Sequence, residues 1–157
     1  PMIRDAVEEV RRIQRNLRPA MLDDLGILAT ISWFCRDFEK IYPDIHIEKQ
    51  IELEETDVPE SLKIVVFRIL QEAFNNISKH SRADRVSVSL KRETGRLTLS
   101  IHDNGVGFKP GQEAPEEVIE KGLGLTSMQE RTELSDGHFS IESKKGEGTT
   151  IMAFWAL

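Results

Sequence analysis

Apolar residues return at alternating steps of three and four along the first stretch: Ile3, Ala6, Val10, Ile13, Leu17 and Ala20. This a/d heptad stripe predicts a helix. Arg4, Glu8, Glu9, Arg11, Arg12 and Arg15 fill its other faces. A narrow stripe with charged flanks reads as a helix–helix interaction surface, or else as one core helix of a globular domain. Pro19 ends or kinks that helix near Arg18. A second helix is expected from about Asp24 to Tyr42, with Leu28, Ile31, Phe34, Cys35, Phe38 and Ile41 as its apolar face and Pro43 as its stop. From Ile45 the period drops to two, since Ile45, Ile47, Ile51 and Leu53 alternate with polar residues, and a half-buried strand follows. After an acidic loop, Pro59 opens a third helix carrying Leu62, Val65, Val66, Ile69, Leu70, Ala73, Phe74 and Ile77 and ending near Lys79–Ser81.

Two alternating segments come next, Val86-Val88-Leu90 and Leu97-Leu99-Ile101, with Thr94-Gly95 between them, which is a hairpin signal. A Gly-, Pro- and Glu-rich loop is expected over Lys109–Lys121. Gly122-Leu123-Gly124 then opens a fourth helix that Gly137 terminates. A last hairpin pairs Phe139–Ser143 with Thr149–Trp155. The order β-α-β-β-α-β-β predicts an α+β fold. Its form is a two-layer α/β sandwich, a mixed, mostly antiparallel sheet with helices on one face, preceded by the N-terminal heptad helix.

Composition narrows the classes of function. The chain has 157 residues, about one domain, and is long enough to fold without a staple. Its single cysteine, Cys35, rules out an internal disulfide and any multi-cysteine metal site, and reads as a small buried residue. A net charge of −6 argues against a nucleic-acid binder acting through bulk charge. No apolar run reaches the ~20 residues that span a bilayer, so no direct membrane contact is expected. Pro1-Met2, followed at once by helical pattern, reads as a cut made inside a longer protein.

Four short segments could carry chemistry. Glu72, Asn76 and His80 stand four apart on the third helix and so share a face. A carboxylate, an amide oxygen and an imidazole there suit magnesium and phosphate oxygens, or form a solvated helix face. Asp103-Asn104-Gly105-Val106-Gly107-Phe108 places a carboxylate at a strand end before glycines that admit a ligand close to the backbone, or else makes a tight Asx turn. Gly122-Leu123-Gly124-Leu125, at a helix start, would offer N–H groups and the helix dipole to an anion. Gly146-Glu147-Gly148-Thr149-Thr150 alone is a hairpin turn. Neither the Walker pattern nor a Gly-x-Gly-x-x-Gly after a strand is present.

In this order, the four segments resemble the ATP-binding domain of sensor histidine kinases, in the superfamily that also holds DNA gyrase, the ninety-kilodalton heat-shock chaperone and the mismatch-repair ATPase. Glu72–His80 resembles the N box. Asp103–Phe108 resembles the first glycine box, Gly122–Leu125 with Met128, Glu130 and Arg131 the second, and Gly146–Thr149 the closing one. The likeness covers about Ile45 to Leu157. Upstream, Leu17–Gly26 (LRPAMLDDLG) resembles the junction of dimerisation and ATP-binding domains in the nitrate-sensor and lipid-fluidity-sensor type subfamily. Ser127 and Gln129 depart from the Gly and Arg usual there, and Asp136-Gly137 replaces a common Gly-Gly.

The resemblance implies a division at residues 1–20, the second helix of a dimerisation hairpin, and 21–157, the catalytic ATP-binding domain. It implies ATP and Mg2+ as cofactors. Glu72 would polarise the attacking group, Asn76 would bind magnesium, and Lys79 and His80 would approach the phosphates. Asp103 would accept the adenine amino hydrogen bond, with Thr149 helping that edge through water. Gly105, Gly107, Gly122, Leu123, Gly124 and Leu125 would shape the pocket and lid. The implied reaction moves the ATP γ-phosphoryl group to a histidine and then to a response-regulator aspartate. Implied partners are the chain's own dimerisation hairpin, a second protomer and a receiver domain. A cytoplasmic location follows whether or not the parent protein is anchored in a membrane. None of His46, His80, His102 and His138 stands in an acceptor-like context, so the acceptor is expected on the absent first helix. The rival readings are a serine kinase of the anti-sigma-factor type and a non-catalytic nucleotide-sensing module.

Overall fold

The computed structural model describes residues 20–108 and 115–157, and side chains in all of these except 115–123. The heptad stripe expected over residues 3–18 lies outside the described residues. Helix α1 spans Ala20–Ile41, and strand β1 spans His46–Glu52. A short 3-10 turn, Glu55–Asp57, precedes helix α2, Glu60–Asn76, which widens into a π turn over Ile77–Ser81. Strands β2 (Arg85–Glu93) and β3 (Arg96–Asp103) follow, then helix α3 (Pro115–Leu134), and strands β4 (Gly137–Lys144) and β5 (Gly148–Ala156).

The strands form one five-stranded sheet in the order β1-β2-β3-β5-β4. β1 and β2 are parallel because α2 carries the chain across between them. The other pairs are antiparallel, in the registers Val86↔Asp103, Asp103↔Thr149 and Ile141↔Ile151. The β2–β3 turn uses Thr94 and Gly95 at φ 51° and 71°, the left-handed pair that matches strand twist.

Period-two patterning sets which face is covered. Val86, Val88, Leu90, Leu97, Leu99, Ile101, Ala153 and Trp155 are buried beneath the helices, whereas Ser87, Thr98, Ser100 and His102 on the opposite face are exposed or half-buried. Phe34 and Phe38 of α1 meet Phe67 and Phe74 of α2 edge-on, with ring centroids 4.8–5.8 Å apart. The expected two-layer mixed sheet with helices on one face is the observed fold.

Three boundaries differ from the sequence reading. α3 begins at Pro115, not Gly122, so Gly122-Leu123-Gly124 lies inside a helix rather than at its start. The left-handed residue after α3 is Asp136 (φ 64°), not Gly137. Gly137 is small for another reason: a Cβ there would lie 2.4 Å from Trp155 Nε1. Finally, α1 is two helical pieces joined at Gly26 (φ 88°, ψ 177°), a backbone conformation open to glycine almost alone.

Candidate nucleotide site

The strand ends under α2 build a mostly apolar pocket. Its floor is one patch of the covered sheet face. Asp103 and Ile101 are two apart on β3, Thr149 and Ile151 two apart on β5, and register pairs each with its neighbour. Ile141 of β4 extends the floor. Ala73, Asn76, Ile77 and His80 come from α2 and its π turn, Leu125 from α3, and Gly107 and Phe108 from the loop after β3.

Asp103 is the one carboxylate in a mostly apolar basin, and it is 5% exposed. Burial pushes its pKa above the usual 3.8. The N–H of Gly105, the neighbouring His102 and the Thr149 N–H oppose that rise without cancelling it. One carboxyl oxygen accepts the Gly105 N–H at 2.9 Å. The Thr149 N–H also bonds this carboxylate, and each carboxyl oxygen has more than one lone pair with which to accept.

A second, polar opening of about 570 Å3 is lined by Glu72, Asn75, Asn76, Lys79, His80, Gly124 and Ser127. It shares Asn76 and His80 with the apolar pocket, so the two openings adjoin at these residues. Glu72 and Asn76 face it from the last turns of α2. The π turn keeps Lys79 and His80 at the same rim, and Arg82 (φ 54°) closes it. π bulges of this kind often mark functional positions in helices. The two parts give a base-sized apolar slot with one buried acceptor, then a mouth offering an amide, an imidazole and an ammonium to an anion.

The loop Asp103–Phe108 is held by its own chain. Asn104 Oδ1 accepts the N–H groups of Asp84 and Arg85 at 3.1 and 3.0 Å, and Val106 N–H donates to Ser81 O at 2.7 Å. The glycines serve this packing. A Cβ on Gly105 would lie 2.1 Å from Ser81 O, and one on Gly107 2.0 Å from Lys144 O. Both glycines are thus required by close backbone-on-backbone contact, and Gly107 lines the apolar pocket as well. Gly105 does not line either opening.

Gly124 differs again. A Cβ there would meet Glu72 Oε1 at 2.5 Å and the Asn76 amide at 3.3 Å. Its smallness lets α3 lie against the polar face of α2. No helix start exists at Gly122–Gly124, so the expected helix-dipole seat for phosphate is not formed there. The side chain of Leu123 is outside the described set.

Sequence reasoning had placed Glu72, Asn76, Lys79, His80, Asp103, Gly107, Gly124, Leu125 and Thr149 in one site, and the structure brings them together. It had not named Ile101, Ile141 and Ile151, although their period-two spacing from Asp103 and Thr149 carried the signal. It had also not named Ser143, whose place depends on a cross-strand pair.

Residues 62–157 match the family of histidine kinase-, DNA gyrase B- and HSP90-like ATPases. The chain belongs to that family. Among its relatives are the signal transduction histidine-protein kinase/phosphatase DegS of Brevibacillus brevis, 36% identical over 96% of this chain, and the oxygen sensor histidine kinase NreB of Staphylococcus carnosus, 36% identical over 92%. The chain spans 38% and 40% of the lengths of these two proteins. The blue-light activated histidine kinase of Erythrobacter litoralis has the same fold, with a TM-score of 0.64 at 18% identity over 83% of this chain and 42% of its own. So does the mycobacterial sensor histidine kinase MprB, with a TM-score of 0.59 at 19% identity over 82% of this chain and 93% of its own. Among the described residues no helix is long and apolar enough to cross a membrane.

Proposed function

We propose that this chain is the ATP-binding catalytic part of a two-component sensor histidine kinase. The observation that carries the reading is the pair of adjoining openings. An apolar slot with one buried carboxylate, Asp103, meets a polar mouth at Asn76 and His80. Adenine fits the slot, its amino hydrogens on Asp103, and the triphosphate reaches the mouth. Lys79 and His80 supply positive charge or N–H groups to the phosphates. Thr149 lines the base edge.

Glu72 sits where it can polarise an incoming imidazole, and Asn76 is the one amide facing both openings. No group of three His, Cys, Asp or Glu side chains able to hold a metal occurs among the described residues. That fits magnesium carried with the nucleotide, which takes most of its oxygen ligands from phosphate and water. Asn76 Oδ1 would be its protein ligand, and when bound it would neutralise charge on the transferred group. The protein's contribution is then position and electrostatics, as in other phosphoryl transfers. Residues 1–20 are assigned to the second helix of the dimerisation hairpin. The first helix of that hairpin and the hairpin of a second protomer complete the bundle, and a receiver domain takes the phosphoryl group onward. The relatives' names favour this reading over the serine-kinase alternative.

The test is phosphotransfer from γ-labelled ATP to a separately supplied acceptor hairpin. Glu72→Ala is expected to keep ATP affinity within a few-fold and abolish transfer. Asn76→Ala is expected to remove the magnesium dependence of binding. A Glu72→Ala protein that lost nucleotide as badly as an Asp103 variant would show that the role given to Glu72 is wrong.

A further inference from the structure

Ser143 lies near the end of β4 opposite Thr149, outside the roles assigned so far, and its hydroxyl oxygen is a three-way junction. It receives the backbone N–H of Phe108 at 2.9 Å, lies 3.2 Å from the carbonyl oxygen of Gly148, and lies 2.7 Å from Thr149 Oγ1. A serine hydroxyl has one hydrogen to give and two lone pairs to receive. The amide of Phe108 can only donate, and the carbonyl of Gly148 can only accept. One assignment therefore satisfies all three contacts: Ser143 donates to Gly148, and Thr149 donates to Ser143. The Thr149 hydroxyl has then spent its hydrogen inside the protein and turns only lone pairs to the pocket it lines.

We propose that Ser143 is a positioning residue for nucleotide recognition, fixing the Thr149 hydroxyl as an acceptor toward the base. This rests on the nucleotide-binding reading above and deepens it. Asp103 is an acceptor as well, so the base edge meets two acceptors set on adjacent strands in register. An amino group satisfies Asp103 directly. A ring nitrogen that is itself an acceptor, such as N1 of adenine, meets Thr149 only through a water that donates to both. Ser143 thereby makes the N1 position count. It also ties the loop residue Phe108, which lines the slot, to the same hydroxyl.

Two nucleotides and three variants separate this role from mere loop support. 1-deaza-ATP carries a C–H in place of N1 and cannot take the bridging water. In the wild-type chain it is expected to bind several-fold to roughly tenfold more weakly than ATP, the scale of one lost hydrogen bond. In Ser143→Ala the Thr149 hydrogen is free to turn into the pocket. ATP should weaken toward the 1-deaza-ATP value while 1-deaza-ATP barely changes, so the ratio collapses toward one. Thr149→Val should collapse it likewise, and Ser143→Thr, which keeps the hydroxyl, should restore it. If Ser143→Ala weakens both nucleotides equally, or neither, Ser143 only supports the loop and the inference is overturned. A wild-type ratio of one overturns it too. Failure of the wild-type chain to bind ATP at all would instead remove the nucleotide reading itself.

Discussion

Asp103 accepts the backbone N–H groups of Gly105 and Thr149 and lines the slot with its remaining acceptor capacity, which gives this one carboxylate a large share of base choice. A carboxylate accepts the N6 hydrogens of adenine but faces the O6 acceptor of guanine, so GTP should compete poorly with a fluorescent ATP analogue. In Asp103→Asn the amide oxygen stays on the Gly105 N–H and the NH2 turns to the slot, a donor against a donor. ATP should then bind roughly 5- to 150-fold more weakly, as expected for a buried mismatch of ~1–3 kcal/mol. Competition by GTP as strong as by ATP in the wild-type chain would defeat the argument. The sign of the pH dependence follows from burial. The folded pKa of Asp103 is raised above 3.8, so the ionised form carries a desolvation cost that is absent below that value and grows as pH rises through the raised pKa. Adenine binding runs the opposite way and should weaken as pH falls through the same window, because the protonated oxygen no longer accepts. Asp103 was legible in the sequence because a strand ran directly into it. The purpose of Gly105 and Gly107 was not legible: a glycine that admits a ligand and one that admits Ser81 O or Lys144 O look alike until the other chain segment is in place.

At the scale of elements, the misread boundaries share one cause, contacts from far along the chain. Gly-Leu-Gly argues for a helix start by local propensity, since each interior glycine costs about 0.5–1 kcal/mol relative to alanine. α3 nevertheless runs through it, because it packs on α2 and β4 and Gly124 must clear Glu72. The break in α1 has the same character. The N–H groups of Ile27 and Leu28, the first of the new helical piece, are capped at 3.0 Å each by the two carboxylate oxygens of Glu55, about 28 residues away. Lys63 of α2 bonds the same carboxylate at 2.8 Å. A Cβ on Gly26 would collide with it. No local pattern announces such a cap. For Glu55, burial alone would raise the pKa, but the Leu28 N–H, the Lys63 ammonium and the Ile27 N–H together hold it below 4.5. A depressed carboxylate contributes stability that is present above its unfolded value and is lost as pH falls through the folded one. Glu55→Ala should cost about 0.5–2 kcal/mol at neutral pH, the usual worth of a helix cap. The gap between variant and wild type in thermal unfolding should narrow as pH falls from about 4.5, where the unfolded chain's carboxylate takes up its proton, through the lower pKa of the folded one. Glu55→Gln, with one acceptor and no charge, should fall between the two and show no such pH dependence. A gap that stayed constant down to strong acid would mean that the charge of Glu55 does not act as the cap.

For the molecule as a whole, the sheet sorts its histidines away from the chemistry, with one exception. His46 is exposed on β1, an edge strand of the sheet, and lines neither opening. His102 lies on the uncovered face and bonds the Thr150 hydroxyl at 2.8 Å, and His138 stacks on Phe154 of that face, with centroids 4.9 Å apart. Only His80 reaches the mouth. It shares one helical run with Glu72 and Asn76 and sits among the groups that would hold the phosphates, not opposite them. In-line attack needs a nucleophile that approaches from outside, beyond the γ-phosphate, and on the proposed reading, in which that nucleophile is an imidazole from another helix, water is positioned poorly. The chain of 157 residues is therefore expected to bind ATP without labelling itself, and to label a histidine-bearing hairpin supplied in trans. Incubation with γ-labelled ATP and magnesium, followed by a gel run under conditions that keep acid-labile phosphohistidine, decides the point. A labelled band that vanishes in Glu72→Ala would make one of these four histidines an acceptor. Its further loss in His80→Gln, with ATP binding kept, would place that acceptor inside the site, and the reading of this chain as a kinase part that needs an external hairpin would have to be given up.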